Sequence, residues 1–336
     1  MTLVVETRFA VIGAGSFGTS LALVLSRNAI PTILWGRNQQ DMARWHDERV
    51  NQRFLPEHQF PDSLEATGSL SEALRRSSHV LVAVPSHAFT EMIRQLAGYG
   101  LAEKRLVWAT KGFEPGTARL LHQVVAEFFG AQYIGAVLSG PTFAVEVAAG
   151  LPTAVTVGCT DESFANEVAQ CFHNQHFRVY TSADVIGVQV GGGVKNVLAL
   201  AAGIADGLGF GANSRAALIT RGLAELIRLG VALGARPDTF MGLAGIGDLV
   251  LTCTDNKSRN RRAGLLLGEG ASVDAAQAQI GQVVEGIRSA REVVRLATRL
   301  HVEMPIAEQV EKVLYGGLSP ADAVRTLLGR APGTET

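Results

Sequence analysis

The stretch Arg8–Gly18, RFAVIGAGSFG, reads as a short buried strand that turns through glycines straight into a helix. Gly13, Gly15 and Gly18 allow a tight turn, close approach of backbone to a ligand, and close packing of helix on strand. The helix then points its free N–H groups at whatever occupies the turn, which suits a pyrophosphate. With a strand before it and a helix after it, GAGSFG reads as a dinucleotide-binding turn. Gly13, Gly15, Ser16, Phe17 and Gly18 are its candidate contacts.

Six further apolar runs follow: Pro31–Gly36, His79–Pro85, Arg105–Thr110, Tyr133–Gly140, Thr153–Gly158 and Phe177–Thr181. Helical patterns lie between them, among them Ser16–Arg27, Phe89–Leu96, Ala118–Phe128 and Glu162–Phe172. Continuous apolar strands alternating with helices predict a mostly parallel, doubly wound sheet covered on both faces, a Rossmann-type α/β domain. From about Ala183 the pattern changes to long helical periods with glycine breaks. The expectation is a dinucleotide-binding domain over 1–190 and an all-helical, substrate-binding domain over 191–336. The tail Arg330–Thr336, RAPGTET, reads as frayed.

The composition excludes several classes. At 336 residues, with 47% hydrophobic and 18% charged residues, the chain suits a soluble enzyme with a large core. A formal net charge of −1 offers no general attraction to nucleic acid or to anionic membranes. No uninterrupted apolar run approaches the roughly 18 residues of a membrane span. The first residues carry Glu6 and Arg8 through their apolar stretch and so do not read as a signal peptide. Cys159, Cys171 and Cys253 have no metal-ligand spacing and fit free thiols in a reducing cytoplasm; no metal site is expected.

The second strand bears on which dinucleotide binds. An acidic residue about 20 positions past the glycines usually holds the ribose of NAD. Here the strand ends in Gly36, Arg37 and Asn38, with no acid before Asp41. Arg37 can pair with a 2′-phosphate, so NADP(H) is favoured, with NAD(H) also accepted. Arg37 also fits a plain surface residue.

Lys195 is a charge where the chain otherwise avoids charge. Between Gly187 and Ala205 only Gln189, Lys195 and Asn196 are polar, and the chain has only five lysines against 25 arginines. A desolvated amine exchanges a proton near neutral pH, which arginine cannot do. A lysine at the edge of a core is the plainer alternative. Lys111 and the run Ser139–Thr142 follow strands, where ligands of open α/β sheets bind. Ser258 stands before a helical run, Arg259–Leu267. It reads either as a simple cap or, with Arg259 and Asn260, as a seat for a phosphate.

Taken together, GAGSFGT (13–19), SGPTFA (139–144), the long segment 191–222 around Lys195, GIGDLVLTCT (245–254), SRNRRAG (258–264) and VVEG (283–286) resemble the bacterial NAD(P)-dependent glycerol-3-phosphate dehydrogenase family. The match runs in order over nearly the whole chain. The resemblance implies a Rossmann-type domain followed by a helical one, with the active site between them. The implied reaction is reversible reduction of dihydroxyacetone phosphate to sn-glycerol 3-phosphate for phospholipid synthesis. Lys195 matches the family's proton donor and acceptor. Lys111, Gly140, Thr142, Lys195, Asp248, Ser258, Arg259 and Asn260 match substrate contacts. Ser16, Phe17, Arg37, Lys111, Ala144, Arg259, Val283 and Glu285 match cofactor contacts. Asp248 is further expected to hold the Lys195 ammonium. The resemblance also implies a cytoplasmic homodimer.

Rival readings fit less well. A 3-hydroxyacid dehydrogenase of similar plan would carry a GxxxKxxN-like helix, but Asn196 follows Lys195 directly and position 199 is Ala. None of Tyr99, Tyr133, Tyr180 and Tyr315 has Lys four residues on, which excludes a short-chain dehydrogenase. His173 and His176 fit the surface of a helix end better than a zinc site. A non-catalytic NADPH sensor would need neither Lys195 nor the 258–260 seat.

Overall fold

Strands that are apolar on both faces need cover on both faces, and helices between successive strands supply it. The computed structural model describes residues 8–101 and 104–329, so the tail from Arg330 lies outside the described residues. The chain divides into two compact units. One comprises residues up to Glu114 together with Arg119–Gln189, and the other Pro115–Ala118 together with Val190 onward.

The strands of the first unit are β1 (Phe9–Ile12), β2 (Thr32–Trp35), β3 (Val50–Asn51), β4 (Leu55–Gln59), β5 (Leu64–Thr67), β6 (His79–Val82), β7 (Arg105–Trp108), β8 (Gly135–Ser139), β9 (Thr153–Gly158) and β10 (Phe177–Ser182). Eight form one sheet in the order β10-β9-β8-β7-β6-β1-β2-β5, and β3 pairs with β4 in a separate two-stranded ribbon. Every pairing in the large sheet is parallel except β8 with β9. β1 is flanked by β2 on one side and β6 on the other. The chain reverses its winding there, so a crevice opens beyond the carboxyl ends of the strands.

The helices of this unit are α1 (Ser16–Arg27), α2 (Gln39–Glu48), α3 (Leu70–Arg75), α4 (Ser86–Gly98), α5 (Leu121–Phe129), α6 (Ala144–Ala149) and α7 (Glu162–Phe172). The expected parallel Rossmann-type sheet with helices is borne out, and all seven expected strands are present. β3, β4 and β5 were not expected, because β3 is only two residues long and β4 and β5 interrupt their apolar residues with polar, partly exposed ones. The helix expected from Ala118 begins only at Leu121. Ala118 has φ +57° and Leu120 is extended, which delays the first helical turn.

The helices α8 (Val185–Gly207), α9 (Ala212–Ala232), α10 (Pro237–Phe240), α11 (Asp248–Thr254), α12 (Arg259–Gly268), α13 (Val273–Ile280), α14 (Glu285–Leu300), α15 (Pro305–Tyr315) and α16 (Pro320–Leu328) follow, with a π-helical turn over Leu243–Gly247 ahead of α11. α8 is long and apolar enough to cross a membrane by length and composition, yet 89% of its most apolar window is buried within the protein. That burial makes it the central helix of a core. Its glycines cost helical stability, about 1 kcal/mol each relative to Ala. They return it as close packing.

Gly203 and Gly207 of α8 face Gly264 and Gly268 of α12. A Cβ on Gly203 or Gly207 would overlap the carbonyl oxygens of Arg261 and Leu265, and one on Gly264 or Gly268 would overlap those of Leu200 and Ile204. The two backbones therefore touch along two turns, which only glycine on both sides allows.

One buried carboxylate closes a helix end. Pro305 opens α15 and no side chain of the preceding residue caps it. Glu225 of α9 instead accepts the N–H groups of Ile306 (2.7 Å) and Ala307 (3.3 Å). Burial pushes its carboxyl up from 4.5 to about 7, helped by Glu308 and opposed by the two N–H groups and by Arg228. The folded chain thus binds a proton that the unfolded chain releases, so this group's contribution is full at low pH and is lost as pH rises through about 7. Thermal denaturation between about pH 5 and about pH 8 should show stability falling by on the order of 2 kcal/mol from this group. Glu225→Gln should flatten that slope; an unaltered slope would assign it to another group.

Candidate active site

The glycine turn after β1 is shaped by contacts that exclude side chains. Gly13 has φ +119°, and a Cβ there would lie 2.6 Å from the carbonyl oxygen of Ala83 on the neighbouring strand end. A Cβ on Gly18 would overlap the carbonyl oxygen of Gly13, so α1 packs directly on the turn. Nothing lies within 4 Å of the Cβ position of Gly15, and no side chain caps α1. Ser16 and Phe17 thus open an uncapped first turn, with open space beside Gly15. This cradle fits a pyrophosphate.

Arg37, just past β2, is exposed and has no partner among the described residues. Asn38 beside it caps α2 by accepting the N–H of Asp41 (3.1 Å). At Gly36 a Cβ would stand 2.5 Å from Met42 Sδ and 3.1 Å from Ala14 Cβ, so an acidic side chain at the strand end would crowd the glycine turn.

Beyond β7 and β8 the chain gathers the other polar candidates of this unit. Lys111 Nζ donates to the carbonyl oxygen of Gly140 (2.9 Å) and to Thr142 Oγ1 (3.5 Å), and stands 5.6 Å from the centre of the Phe17 ring. Gly140 has φ +148°, and a Cβ there would lie 2.9 Å from Val155 Cα. Ala144 opens α6, whose N-terminus likewise has no side-chain cap. Lys111, Phe17, Gly140 and Thr142 form one cluster; Arg37 stands apart from it.

The second unit builds its cluster around Lys195. A Cβ on Gly191, one turn before it on α8, would overlap the carbonyl oxygen of Ala244 in the π-helical turn. That turn kinks at Gly245 (φ −105°, ψ −105°) and starts α11 with Asp248. Lys195 is 6% exposed and Asp248 0%. The Lys195 ammonium donates to Asp248 Oδ1 and to Thr252 Oγ1 (3.1 Å), and Thr252 Oγ1 donates to the backbone oxygen of Asp248 (2.6 Å). Burial favours the neutral amine, while the carboxylate favours the ammonium. The lysine is therefore an oriented, charge-compensated cation and not a desolvated amine standing alone. Thr252 was not singled out in the sequence, although its position one turn beyond Asp248 puts both side chains on one face of α11. Cys253 beside it is no rival for the chemistry, since burial pushes its thiol up to about 12. All three cysteines are buried and unbridged. Among the described residues no cluster of His, Cys, Asp and Glu could hold a metal.

Ser258 caps α12, its Oγ accepting the N–H of Arg261 (3.2 Å), which leaves the hydroxyl proton free to be donated. Asn260 is buried. Its carboxamide donates to Asn196 Oδ1 (2.8 Å) and accepts the N–H of Gly286 (2.8 Å), so one of its N–H bonds remains. This tie fixes the start of α14 against α8. Arg259 is exposed and donates to Gln282 Oε1 (3.1 Å), and the Glu285 carboxylate acts electrostatically on it. Val283 is exposed on the same segment. Thus Lys195, Asp248 and Thr252 form one cluster. Ser258, Arg259, Asn260 and Glu285 form another, joined to it through Asn196.

Comparison with known proteins places the chain in a family. Residues 8–165 match the N-terminus, and residues 184–325 the C-terminus, of NAD-dependent glycerol-3-phosphate dehydrogenase. Glycerol-3-phosphate dehydrogenase (NAD(P)+) of Photorhabdus laumondii is 56% identical over 97% of this chain and 96% of its own length. The chain belongs to the NAD-dependent glycerol-3-phosphate dehydrogenase family. The enzyme of the same name from Edwardsiella ictaluri is 57% identical over 97% of each chain. A crystal structure of glycerol-3-phosphate dehydrogenase from Coxiella burnetii superposes with a TM-score of 0.93 at 47% identity, covering 97% of this chain and 99% of that one. A D-mandelate dehydrogenase, at 10% identity and a TM-score of 0.61, shares the fold alone. The family resemblance read from the motifs is borne out, as are its being an enzyme and its use of NAD(P).

The backbone contact between α8 and α12 sets where Ser258–Asn260 stand relative to Lys195. Gly264→Ala should therefore push α12 off α8, destabilising the protein by about 1–3 kcal/mol in denaturant unfolding. Unchanged stability would mean the helices can part freely.

Proposed function

We propose that this protein reversibly reduces dihydroxyacetone phosphate to sn-glycerol 3-phosphate with NADPH or NADH, NADPH being preferred. The single observation that carries the chemistry is the buried Lys195 ammonium fixed by Asp248 and Thr252. A bound nicotinamide would supply the hydride for carbon 2 of the ketone. Lys195 donates a proton to the carbonyl oxygen as negative charge develops there, so ketone, hydride and proton together give the secondary alcohol. In the reverse direction the neutral amine of Lys195 takes the hydroxyl proton back. Asp248 and Thr252 keep Nζ in one place through both states, which spares the reaction the cost of ordering it.

The phosphate is taken by the N-terminus of α12, the Ser258 hydroxyl, the Arg259 guanidinium and the remaining N–H of Asn260. Binding energy at that end positions a carbonyl several bonds away. Lys111 contacts both substrate and cofactor, and Gly140 and Thr142 contact the substrate. The glycine turn with Ser16 and Phe17, together with Ala144, Val283 and Glu285, completes the cofactor contacts. Preference for NADPH rests on Arg37, which is exposed and has no partner among the described residues, and on the crowding that keeps an acidic side chain from position 36. The product is a precursor of glycerophospholipids. By family analogy the protein works in the cytoplasm as a homodimer.

The test is oxidation of NADPH, and separately of NADH, by the purified protein with dihydroxyacetone phosphate. Turnover with a higher kcat/KM for NADPH is the expected result, and no turnover with either cofactor would refute the proposal. Arg37→Ala should lower kcat/KM for NADPH by about tenfold and leave that for NADH nearly unchanged. Equal losses with both would remove Arg37 from 2′-phosphate recognition.

A further inference from the structure

Asp206 lies about three turns beyond Lys195 on the same face of α8. Its side chain is 9% exposed and carries two guanidinium groups. Arg215 Nη1 of α9 donates to both carboxylate oxygens at 3.0 Å, and Arg261 Nη2 of α12 donates to Oδ2 at 2.5 Å. Arg261, also 9% exposed, uses its other terminal nitrogen to donate to Asn256 Oδ1. Asn256 sits in the four-residue link Asp255–Ser258 that joins α11 to α12. That link has Asp248 and Thr252 on the helix before it, and it ends at Ser258, the cap of the helix that opens with Arg259.

We infer that Asp206 is a positioning residue for the phosphate seat: through Arg261 and Asn256 it holds the Asp255–Ser258 link, and so the Ser258 hydroxyl and the Arg259 guanidinium, in place. This rests on the reaction and seat proposed above. A carboxylate is required, because the buried Arg261 guanidinium and the partly exposed one of Arg215 share it, and Arg261 would otherwise stand uncompensated. The Asp206 carboxylate accepts from Arg215 and Arg261, and Arg261 leads on to the link before Ser258, so its loss should affect capture of the phosphate more than the proton transfer.

The sign of the effect separates this role from a purely electrostatic one. Removing a negative charge near an anion seat would by Coulomb attraction alone tighten phosphate binding. Loss of positioning loosens it. Steady-state kinetics of Asp206→Asn and Asn256→Ala with dihydroxyacetone phosphate and NADPH provide the test. The expected result is a KM for the phosphoketone raised about tenfold in Asp206→Asn and by a smaller factor in Asn256→Ala. In both, kcat should stay within about threefold and the KM for NADPH should be unchanged. Should Asp206→Asn fail to fold, Asn256→Ala decides alone, since its exposed side chain can be removed without stranding a charge. An unchanged or lowered phosphoketone KM in the folded variants would overturn the inference while the wild-type protein still turns over. A wild-type protein inert toward the phosphoketone would overturn the proposed reaction, and this inference with it.

Discussion

The ion pair between the Lys195 ammonium and the Asp248 carboxylate lies where either charge alone would be unfavourable by several kcal/mol. Such a pair persists only if its geometry is held from several sides and its remaining hydrogen-bonding capacity is met. Thr252 meets part of it, accepting from Lys195 and donating to the backbone of Asp248, so that lysine, aspartate and threonine form a closed set. The arrangement gives up stability that a hydrophobic trio could have supplied. In return, one proton is held at one place in the interior.

Glycine makes that placement affordable in space. Gly191 lets α8 meet the π-helical turn backbone to backbone, and the turn presents Asp248 to Lys195. Gly203, Gly207, Gly264 and Gly268 let α12 lie directly on α8. The Asn196–Asn260–Gly286 tie then fastens the start of α14 to the same helix. Helical propensity is sacrificed at each glycine, and tertiary packing outweighs it. In the first unit the same logic operates at Gly13 and Gly18, where side chains are excluded so that α1 packs directly on the glycine turn.

Much of this was legible in the chain. The alternation of apolar runs and helical periods is a strong local signal, and all seven strands expected from it are present. Lys195 stood out because a charge on an otherwise apolar segment has few explanations. What stayed hidden depends on partners distant in sequence. Thr252 is an ordinary helical threonine until Asp248 and Lys195 stand beside it. Asp206 and Arg261 are 55 positions apart and reveal their pairing only in space. Ser258 and Asn260 could be read as phosphate contacts, but the structural work they do, capping α12 and tying three helices, came from the fold. Short half-exposed strands such as β5 carry no apolar run, and nothing in the local sequence marks Pro115–Ala118 as packing with the helical unit.

The most direct test of the central claim, that Lys195 moves a proton and is not merely a fixed charge, is the turnover of Lys195→Arg with dihydroxyacetone phosphate and NADPH. Arginine keeps the positive charge and can still pair with Asp248, yet it cannot release its proton. The account predicts kcat lower by several powers of ten, on the order of 10³-fold, with NADPH still binding at near wild-type affinity. Turnover within about tenfold of wild type would contradict it, leaving Lys195 as an electrostatic anchor alone.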